Sequence, residues 1–325
     1  MGHREHETPQ AEATPCPGCG AAAGALVDSL PTADLAELYR RRGIEVSAYF
    51  ETTALIRRFR CQACDLGYFS PPCPGDGPFY EQLQTQSWYY QDEKPEYDYA
   101  ARFIQAGQRV LEVGCGKGAF HAWLPSKVSY RGLEFNMEAV QKAQAAGLDV
   151  RKQSIEEHAT RHPAAYDRVC SFQVLEHVPE PASFVHACVD ALAPGGLLII
   201  AVPAEDSFLA VAANAPLNMP PHHVLRWSDR ALRNLANREG LVLKDLWHEP
   251  IAPFHRDWQL QALAHHYLAR RRARLIDHSL RYRLAARLLQ RQSIRDWLAQ
   301  RAVRASPDLE RGHTVILVAE KPALT

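Results

Sequence analysis

The middle of this 325-residue sequence predicts an α/β fold, a doubly wound parallel sheet with helices on both faces. Two observations support this prediction. Short apolar runs alternate with helical segments from residue 108 onward, and a glycine-rich turn directly follows the first of these runs. Sheets of this kind bind ligands at the carboxyl ends of their strands, so polar residues at strand ends are the first candidates for a functional site.

Composition divides the chain into five parts. The sequence predicts a disordered tail at 1–14, a zinc-binding module at 15–75, an aromatic helical linker or cap at 76–105, a basic helical insertion at 250–305, and an α/β domain formed by 106–249 and 306–325. Lysines plus arginines number 37, as do aspartates plus glutamates, so no overall field favours nucleic acid. No apolar run approaches the roughly 20 residues of a membrane span, and the first residues carry no apolar signal, so we expect a cytoplasmic protein.

Two Cys-x-x-Cys pairs predict a zinc site in the first module. Cys16 and Cys19 are matched by Cys61 and Cys64, and two such pairs can present four thiolates tetrahedrally to zinc. Because four thiolates leave no open coordination position, we expect a structural ion rather than a catalytic one. The alternatives are four unrelated buried cysteines, or a contribution from Cys73 in its Pro-Pro-Cys-Pro setting.

The segment 76–105 is rich in aromatic residues. Such residues usually pack a small domain onto a larger one. Tyr89 and Tyr90 lie just ahead of the first strand of the sheet, and we favour a role for this pair in closing over a cofactor. A helix at 96–106, ending at Gly107, is expected to lead into that strand.

The first strand of the sheet runs straight into a turn that contains Gly114, Gly116 and Gly118. Glycines let the backbone turn sharply and approach a ligand, and the helix expected after the turn offers unpaired N–H groups. With Ala119 the pattern also fits a dinucleotide site, so the turn alone allows either a nucleotide cofactor or S-adenosylmethionine. Glu112, inside the strand, favours S-adenosylmethionine, because its carboxylate can hold the ammonium group of that cofactor.

The remaining strands and helices follow in alternation. Strands are expected at 128–133, from 149, and at 167–172, 197–202 and 241–246, with helices at 34–42, 137–146 and 229–239. Glu134 ends the second strand of the sheet, where its carboxylate is placed to accept both ribose hydroxyls of a cofactor. Ser154 and Ile155 follow the third strand, at the position for contact with an adenine edge.

The stretch 106–249 resembles the class I S-adenosylmethionine-dependent methyltransferases. The matching motifs are residues 112–118, Glu134, Leu175-Glu176-His177 and Pro194-Gly195-Gly196. The resemblance implies a Rossmann-like seven-stranded sheet whose last strand, at 312–321, is antiparallel. It also implies a cofactor-binding set of Glu112, Gly114, Cys115, Gly116, Gly118, Glu134, Phe135, Ser154, Ile155, Gln173 and Val174. The cysteine-rich front half is similar in architecture to methyltransferases of sugar and secondary metabolism that carry an amino-terminal zinc module.

Methyl transfer requires alignment of the acceptor atom with the methyl group and, for a hydroxyl acceptor, a base. His177, in the loop after the fourth strand, is a candidate base, and ordering of that loop is its alternative role. His222 and His223 follow two prolines in a loop expected over the carboxyl edge of the sheet, and we expect at least one of them to contact the acceptor or act as the base. The histidine pair can instead bind a metal, but the sequence shows no third ligand.

Between 256 and 304 the insertion carries twelve arginines and three aspartates, a formal charge of +9. This charge permits contact with a phosphate-bearing acceptor or an anionic membrane surface.

Taken together, these features predict an enzyme that methylates oxygen or carbon of a small molecule, such as a sugar, nucleotide sugar, lipid-linked glycan or secondary metabolite. An RNA methyltransferase with the zinc module as its recognition element is the runner-up, although the neutral net charge disfavours nucleic acid. A non-catalytic S-adenosylmethionine-binding scaffold is the third reading.

Overall fold

The computed structural model describes residues 14–22, 24–84, 86, 94–212, 215–269, 284 and 287–323. Tyr89, Tyr90 and residues 1–13 of the predicted tail lie outside these ranges, so their predicted roles stay predictions. The N-terminal unit is a small antiparallel sheet, in which β1 (Ala25–Pro31), β2 (Leu55–Arg60) and β3 (Gly67–Ser70) pair in that order. Two helices flank it, α1 (Thr32–Arg40) after β1 and α2 (Gly77–Gln84) after β3.

A seven-stranded sheet forms the centre of the rest of the chain. Its strands are β4 (Arg109–Val113), β5 (Ser129–Leu133), β6 (Val150–Arg151), β7 (Tyr166–Phe172), β8 (Leu192–Pro203), β10 (Val242–Pro250) and β11 (Arg311–Glu320), whereas β9 (Leu225–Arg226) belongs to the small sheet. The order is β10-β11-β8-β7-β4-β5-β6. Strands β4 to β8 pair in parallel, and β11 is antiparallel to both of its neighbours. The predicted fold, with its antiparallel last strand, is confirmed.

The same part of the chain also forms helices. They are α3 (Pro95–Ala101), α4 (Met137–Ala145), α5 (Ile155–Arg161), α6 (Pro181–Ala191), α7 (Asp229–Arg238), α8 (Arg256–Ala269) and α9 (Gln292–Ala305). Local chemistry fixes where several of them begin. The side chains of Asn136, Ser154 and Ser228 each accept a hydrogen bond from an N–H of the first turn of α4, α5 and α7.

The segment after the glycine turn differs from the expected helix. It forms a single 3₁₀ turn, Ala119–Trp123, and the chain is extended again at Leu124. Pro125 follows, and a proline disfavours helical backbone in the residue before it. The turn therefore offers the N–H groups of a tight loop to a ligand, without an α-helix behind them.

The small sheet and the α/β domain contact each other directly. Gly67 and Tyr68 of β3 pair with β9, which lies far along the chain, between β8 and α7. Trp227, next to β9, is buried in the same apolar cluster as Phe59 of the N-terminal unit. The side chain of Asn234 in α7 donates to the carbonyl of Cys64 at 3.1 Å. The cysteine-rich unit is thus built onto the α/β domain through both backbone pairing and apolar packing.

The predicted basic insertion is helical where the structure describes it. Leu263 of α8 and Ala299 of α9 are buried together with Phe208 and Leu209, in the segment after β8. The insertion therefore packs on the chain that leads from β8 to β9. Among the helices of the described residues, none is both long and apolar enough to cross a membrane.

The junction between the two units can be tested by comparing two helix caps. Ser228 caps α7 at 3.1 Å and also donates to Asp65 of the N-terminal unit, whereas Ser154 caps α5 at the same distance and donates to no carboxylate among the described residues. Ser154→Ala should lower the unfolding free energy of the ligand-free protein by about 1 kcal/mol. Ser228→Ala should lower it by about a further 1 kcal/mol, because a hydrogen bond to a charged group is also lost. Equal losses in urea denaturation would show that the Asp65 contact does not stabilise the junction.

Candidate functional site

The glycine turn after β4 has the backbone that its sequence predicts. Gly114, Gly116 and Gly118 have φ angles of +76°, +53° and +81°, the left-handed region that side chains disfavour. A Cβ on Gly114 would lie 2.3 Å from Cγ2 of Val174, which packs over the turn from the loop after β7. Gly114 is therefore required both for its φ angle and for this close contact.

Glu112 is buried at the end of β4 beside a partner that the sequence did not reveal. The hydroxyl of Tyr130, on the neighbouring strand β5, donates to Oε2 of Glu112 at 2.5 Å. Burial raises the pKa of Glu112 to about 8, although this hydrogen bond and the charge of Lys94 oppose the shift. Without a ligand the Glu112 carboxyl is therefore neutral near pH 7, and a cationic group placed against it would favour its ionisation.

Glu134 is held against the glycine turn. Its Oε2 accepts from the N–H of Gly116 at 2.9 Å, and its Oε1 accepts from the N–H of Asn136 at 2.8 Å. The next side chain, Phe135, is 66% exposed, which leaves a bare aromatic ring at the edge of the turn. Cys115 instead packs inward with Val140 of α4, so only its backbone faces the turn.

The side chains of the other predicted cofactor residues have different surroundings. The side chain of Ser154 caps α5, and the side chain of Ile155 is buried in the core. Gln173 follows β7 with a φ of +57°, and its side-chain amide donates to Glu96 and Thr314. Glu96, at the start of α3, is buried and was not identified from the sequence.

Three histidines meet beyond this loop. One ring nitrogen from each of His177, His222 and His223 lies within 4.8 Å of those of the other two. His222 and His223 are almost fully buried, whereas 17% of the His177 side chain is exposed. The structure thus supplies the third member that the histidine pair lacks in the sequence.

Main-chain hydrogen bonds bring the histidines together. The carbonyl of Glu176 accepts from the N–H groups of Val224 and Leu225 at 2.9 and 3.1 Å, which joins the loop after β7 to the loop before β9. The Nδ1–H of His177 donates across the same junction to the carbonyl of His222 at 2.6 Å. The histidines therefore belong to one rigid junction between two loops that are about 45 residues apart in sequence.

Each histidine uses its Nδ1 atom in a hydrogen bond to an oxygen that can only accept. His177 donates to the His222 carbonyl, His222 to the Leu217 carbonyl at 2.8 Å, and His223 to Oδ1 of Asn218 at 3.1 Å. The proton therefore sits on Nδ1, and the lone pair is on Nε2. Burial lowers the pKa of His177 to about 4 and those of His222 and His223 well below the ordinary value, so all three rings are neutral near pH 7.

Glu176 completes this group. Its side chain is 1% exposed, and neither carboxylate oxygen has a hydrogen-bond partner among the described residues. Its Oε1 lies 3.6 Å from Nε2 of His177 and 3.8 Å from Nε2 of His223. Burial raises the pKa of Glu176 to about 8. The sequence drew attention to Leu175-Glu176-His177 as a motif, but no part of it indicated that Glu176 faces both histidines.

The N-terminal unit forms one wall of the histidine cluster. The ring of Tyr80 in α2 meets His177 edge-on at 5.7 Å, and Phe79 lies 5.9 Å from His222. The hydroxyl of Tyr39 in α1 donates to the carbonyl of Met219 at 2.9 Å and so supports the histidine loop. Part of the aromatic segment therefore lines the histidine cluster, whereas Tyr89 and Tyr90, which were predicted to close over the cofactor, lie outside the described residues.

The histidine cluster adjoins the glycine turn. Val174 contacts Gly114, and the N–H of His177 donates to the carbonyl of the same Val174 at 2.9 Å. The charge of Lys94 acts on both Glu112 and Glu176, opposing the effect of burial on their pKa values. The structure thus joins a glycine turn with two acidic groups to a cluster of neutral imidazoles, and an aromatic wall closes the cluster side.

The four predicted zinc ligands also come together. The sulfurs of Cys16, Cys19, Cys61 and Cys64 all lie within 4.8 Å of one another, with separations of 3.6 Å for Cys16–Cys64 and 3.5 Å for Cys19–Cys61. Thiolates that bind one zinc ion tetrahedrally at about 2.3 Å lie about 3.8 Å apart, so the donor set fits zinc. Cys73 packs with a different cluster, around α1 and α2.

Comparison with known proteins identifies the type of domain. A family model described as a methyltransferase domain matches residues 82–246. A ubiquinone biosynthesis O-methyltransferase of Klebsiella pneumoniae is 39% identical over 97 residues, which is 28% of this chain and 40% of that protein. A protein of the same name from Salmonella arizonae is 38% identical over the same shares. The match thus spans less than half the length of these relatives.

One solved structure supports the fold in particular. A SAM-dependent methyltransferase from Archaeoglobus fulgidus is similar with a TM-score of 0.50 and 16% identity, over 76% of this chain and 100% of that one. At this level of identity the similarity shows the fold alone.

The neutral state of buried Glu112 predicts a pH dependence of stability. The folded protein keeps this proton between the ordinary pKa of 4.5 and about 8, whereas the unfolded chain loses it near 4.5. The contribution of Glu112 to the unfolding free energy should therefore fall as pH rises through this window, by at most about 1.4 kcal/mol per pH unit. Glu112→Gln, a neutral isostere, should lack this decline, and exposed Glu138→Gln should retain it. Denaturant titrations of the cofactor-free proteins at several pH values would contradict the assignment if Glu112→Gln and the parent lost stability in parallel.

Proposed function

This chain belongs to the methyltransferase-domain family, and we propose that it transfers a methyl group from S-adenosylmethionine to an oxygen atom of a small-molecule acceptor. The observation that carries the proposal is the contact of the glycine turn with the loop that bears His177, through Val174. A cofactor on the turn would then present its methyl group toward the histidine cluster. The oxygen acceptor is favoured over carbon by the O-methyltransferase names of the relatives.

Different residues around the glycine turn would bind different parts of the cofactor. Glu112 would hold the ammonium group, because a buried carboxyl with few partners gains most from a cation. Glu134 would bind the ribose hydroxyls, since its carboxylate already lies beside the turn. The exposed ring of Phe135 is placed to stack on adenine. The main chain at Ser154 and Ile155 and the side chains of Gln173 and Val174 would complete the site, with Tyr89 and Tyr90 as its proposed cover.

The acceptor would bind beside the histidine cluster, next to His177, whose side chain is partly exposed. Transfer requires the acceptor oxygen, the methyl carbon and the sulfur in line, and the oxygen must lose its proton. The Nε2 lone pairs of His177, His222 and His223 can receive that proton, and His177 is the member with the most exposed side chain. Tyr80, whose ring meets His177 edge-on, favours an acceptor with a flat or ring-shaped body.

We further propose that Cys16, Cys19, Cys61 and Cys64 bind one structural zinc ion. Zinc there would hold together the two loops of the N-terminal unit that contact α7 through Cys64 and Gly18. The ion would stabilise the wall of the acceptor site from a distance.

The insertion would contact the part of the acceptor that does not react. Its formal charge of +9 favours a phosphate-bearing acceptor, or an acceptor presented at an anionic membrane surface. Its described helices pack on Phe208 and Leu209, in the chain between β8 and the histidine loop.

The proposal predicts labelled methyl transfer from S-adenosylmethionine to hydroxyl-bearing small molecules. Phenols, sugars and nucleotide sugars should be assayed side by side, and transfer to oxygen of at least one class is expected.

Glu134→Ala should raise the KM for the cofactor about 10-fold to 100-fold, because hydrogen bonds to a charged group are lost. Exposed Glu138→Ala on α4 is the matched control and should leave the KM unchanged. His223→Ala should lower kcat with little change in cofactor KM.

Three outcomes would contradict parts of this account. Transfer to RNA alone, with strong salt dependence, would replace the small-molecule acceptor by nucleic acid. Binding of S-adenosylhomocysteine without any transfer would support a non-catalytic scaffold. A parent-like cofactor KM for Glu134→Ala would remove Glu134 from the cofactor site.

A further inference from the structure

We propose that His177, His222, His223 and Glu176 bind a divalent transition-metal ion on the acceptor side of the site. The site is distinct from the four-cysteine cluster and uses nitrogen and oxygen ligands only. The three imidazoles converge, with one nitrogen from each within 4.8 Å of the others. The three imidazoles come from two different loops. The tertiary fold therefore forms the cluster, and a local sequence motif does not.

The hydrogen bonds behind the rings match those of metal-binding histidines. Such histidines usually donate their second N–H to a carbonyl or carboxylate, which fixes the tautomer and turns the lone pair toward the ion. All three rings do this through Nδ1, to the carbonyls of His222 and Leu217 and to the side-chain oxygen of Asn218.

The carboxylate of Glu176 supplies the strongest independent observation. A buried carboxylate normally accepts several hydrogen bonds, yet neither oxygen of Glu176 has a partner among the described residues. Its Oε1 faces Nε2 of His177 and of His223, and these atoms are acceptors, as the carboxylate is. A protonated Glu176 could serve only one of them, and the distances are too long for a hydrogen bond. A cation between Oε1 of Glu176 and the Nε2 atoms of His177 and His223 would satisfy these three groups at once.

The distances agree with shared coordination. Two nitrogen or oxygen ligands of a tetrahedral zinc ion, each about 2.1 Å away, lie about 3.4 Å apart. The separations of 3.6 and 3.8 Å between Oε1 of Glu176 and the Nε2 atoms of His177 and His223 are slightly longer. The histidine nitrogens lie within 4.8 Å of one another and would move inward when an ion binds. Imidazole and carboxylate ligands suit zinc, iron(II) and cobalt(II), whereas calcium and magnesium prefer oxygen ligands.

The catalytic role of the ion rests on the proposed methyl transfer, whereas the binding of the ion does not depend on that proposal. With four protein ligands in place, a bound ion would take the acceptor hydroxyl as a fifth ligand and lower its pKa. The hydroxyl would release its proton to water, and its oxygen would attack the methyl carbon. The carbon–sulfur bond would break with its electron pair on sulfur, giving the methyl ether and S-adenosylhomocysteine. The histidines would then act on the acceptor through the ion instead of as bases.

Metal content and cobalt spectroscopy test the proposal directly. Full-length protein, stripped with a chelator and then loaded with Co²⁺, should bind about two ions per chain. One should show the sulfur-to-cobalt charge transfer of thiolate ligands, and the other only the weaker bands of nitrogen and oxygen ligands. His223→Gln and the isosteric Glu176→Gln should each lose the second signal and keep the first. His158→Gln removes a buried histidine outside the cluster and should keep both.

The possible outcomes test the metal site and the proposed methyl transfer independently of each other. A single thiolate-bound ion in the parent protein, or an unchanged second signal in both His223→Gln and Glu176→Gln, would overturn the metal site. Loss of both signals in Glu176→Gln with a native circular dichroism spectrum would also count against a separate site. Parent-rate methyl transfer by protein that lacks the second ion would leave the proposed function intact and remove the ion from it.

Discussion

The junction between the loop after β7 and the loop before β9 is the interaction on which the site depends. Two N–H groups, of Val224 and Leu225, donate to the single carbonyl of Glu176. This junction places Glu176 and His177 beside His222 and His223, and Val174 in the first loop against Gly114. Breaking it would separate the histidines from one another and the acceptor side from the cofactor side.

The N-terminal unit has a larger part in the site than its position in the chain suggests. β3 pairs with β9 at the end of the histidine loop, and Tyr39 supports Met219 within the same loop. The rings of Phe79 and Tyr80 then cover the histidines. The four-cysteine cluster lies at the far side of this unit, where an ion would fix the two cysteine loops against α7. A structural metal there and the acceptor wall are thus parts of one folded unit.

The sequence predicted the features that depend on local residue order. The positions of the strands, the sharp turn at Gly114, Gly116 and Gly118, and the antiparallel last strand follow from apolar runs, turn residues and the resemblance of the motifs. Two strands are longer than predicted, β8 and β10, because the pairing of β8 with β7 and of β10 with β11 extends beyond the apolar runs. The helix expected after the turn was wrong in type, because Pro125 limits it to a 3₁₀ turn. The four cysteines were paired correctly in space because each pair is local and carries its own turn.

The sequence did not predict contacts between residues that are distant in the chain. Tyr130 reaches Glu112 from a neighbouring strand, and the strand order decides that contact. His177 joins the histidine pair from a loop about 45 residues away, and the carboxylate of Glu176 turns inward at the same place. Since burial and tertiary hydrogen bonds set the pKa and tautomer of these groups, their chemistry becomes visible only in the fold.

The most direct measurement is a crystal structure of the protein with S-adenosylhomocysteine and added Zn²⁺. The account predicts the ammonium group against Glu112, the ribose against Glu134, and the sulfur facing the histidine cluster across a space for one acceptor ring. Anomalous scattering should then show a metal between Glu176 and the three histidines. A ligand bound away from the glycine turn, or with its sulfur turned from the cluster, would contradict the central claim that the two halves form one methyl-transfer site.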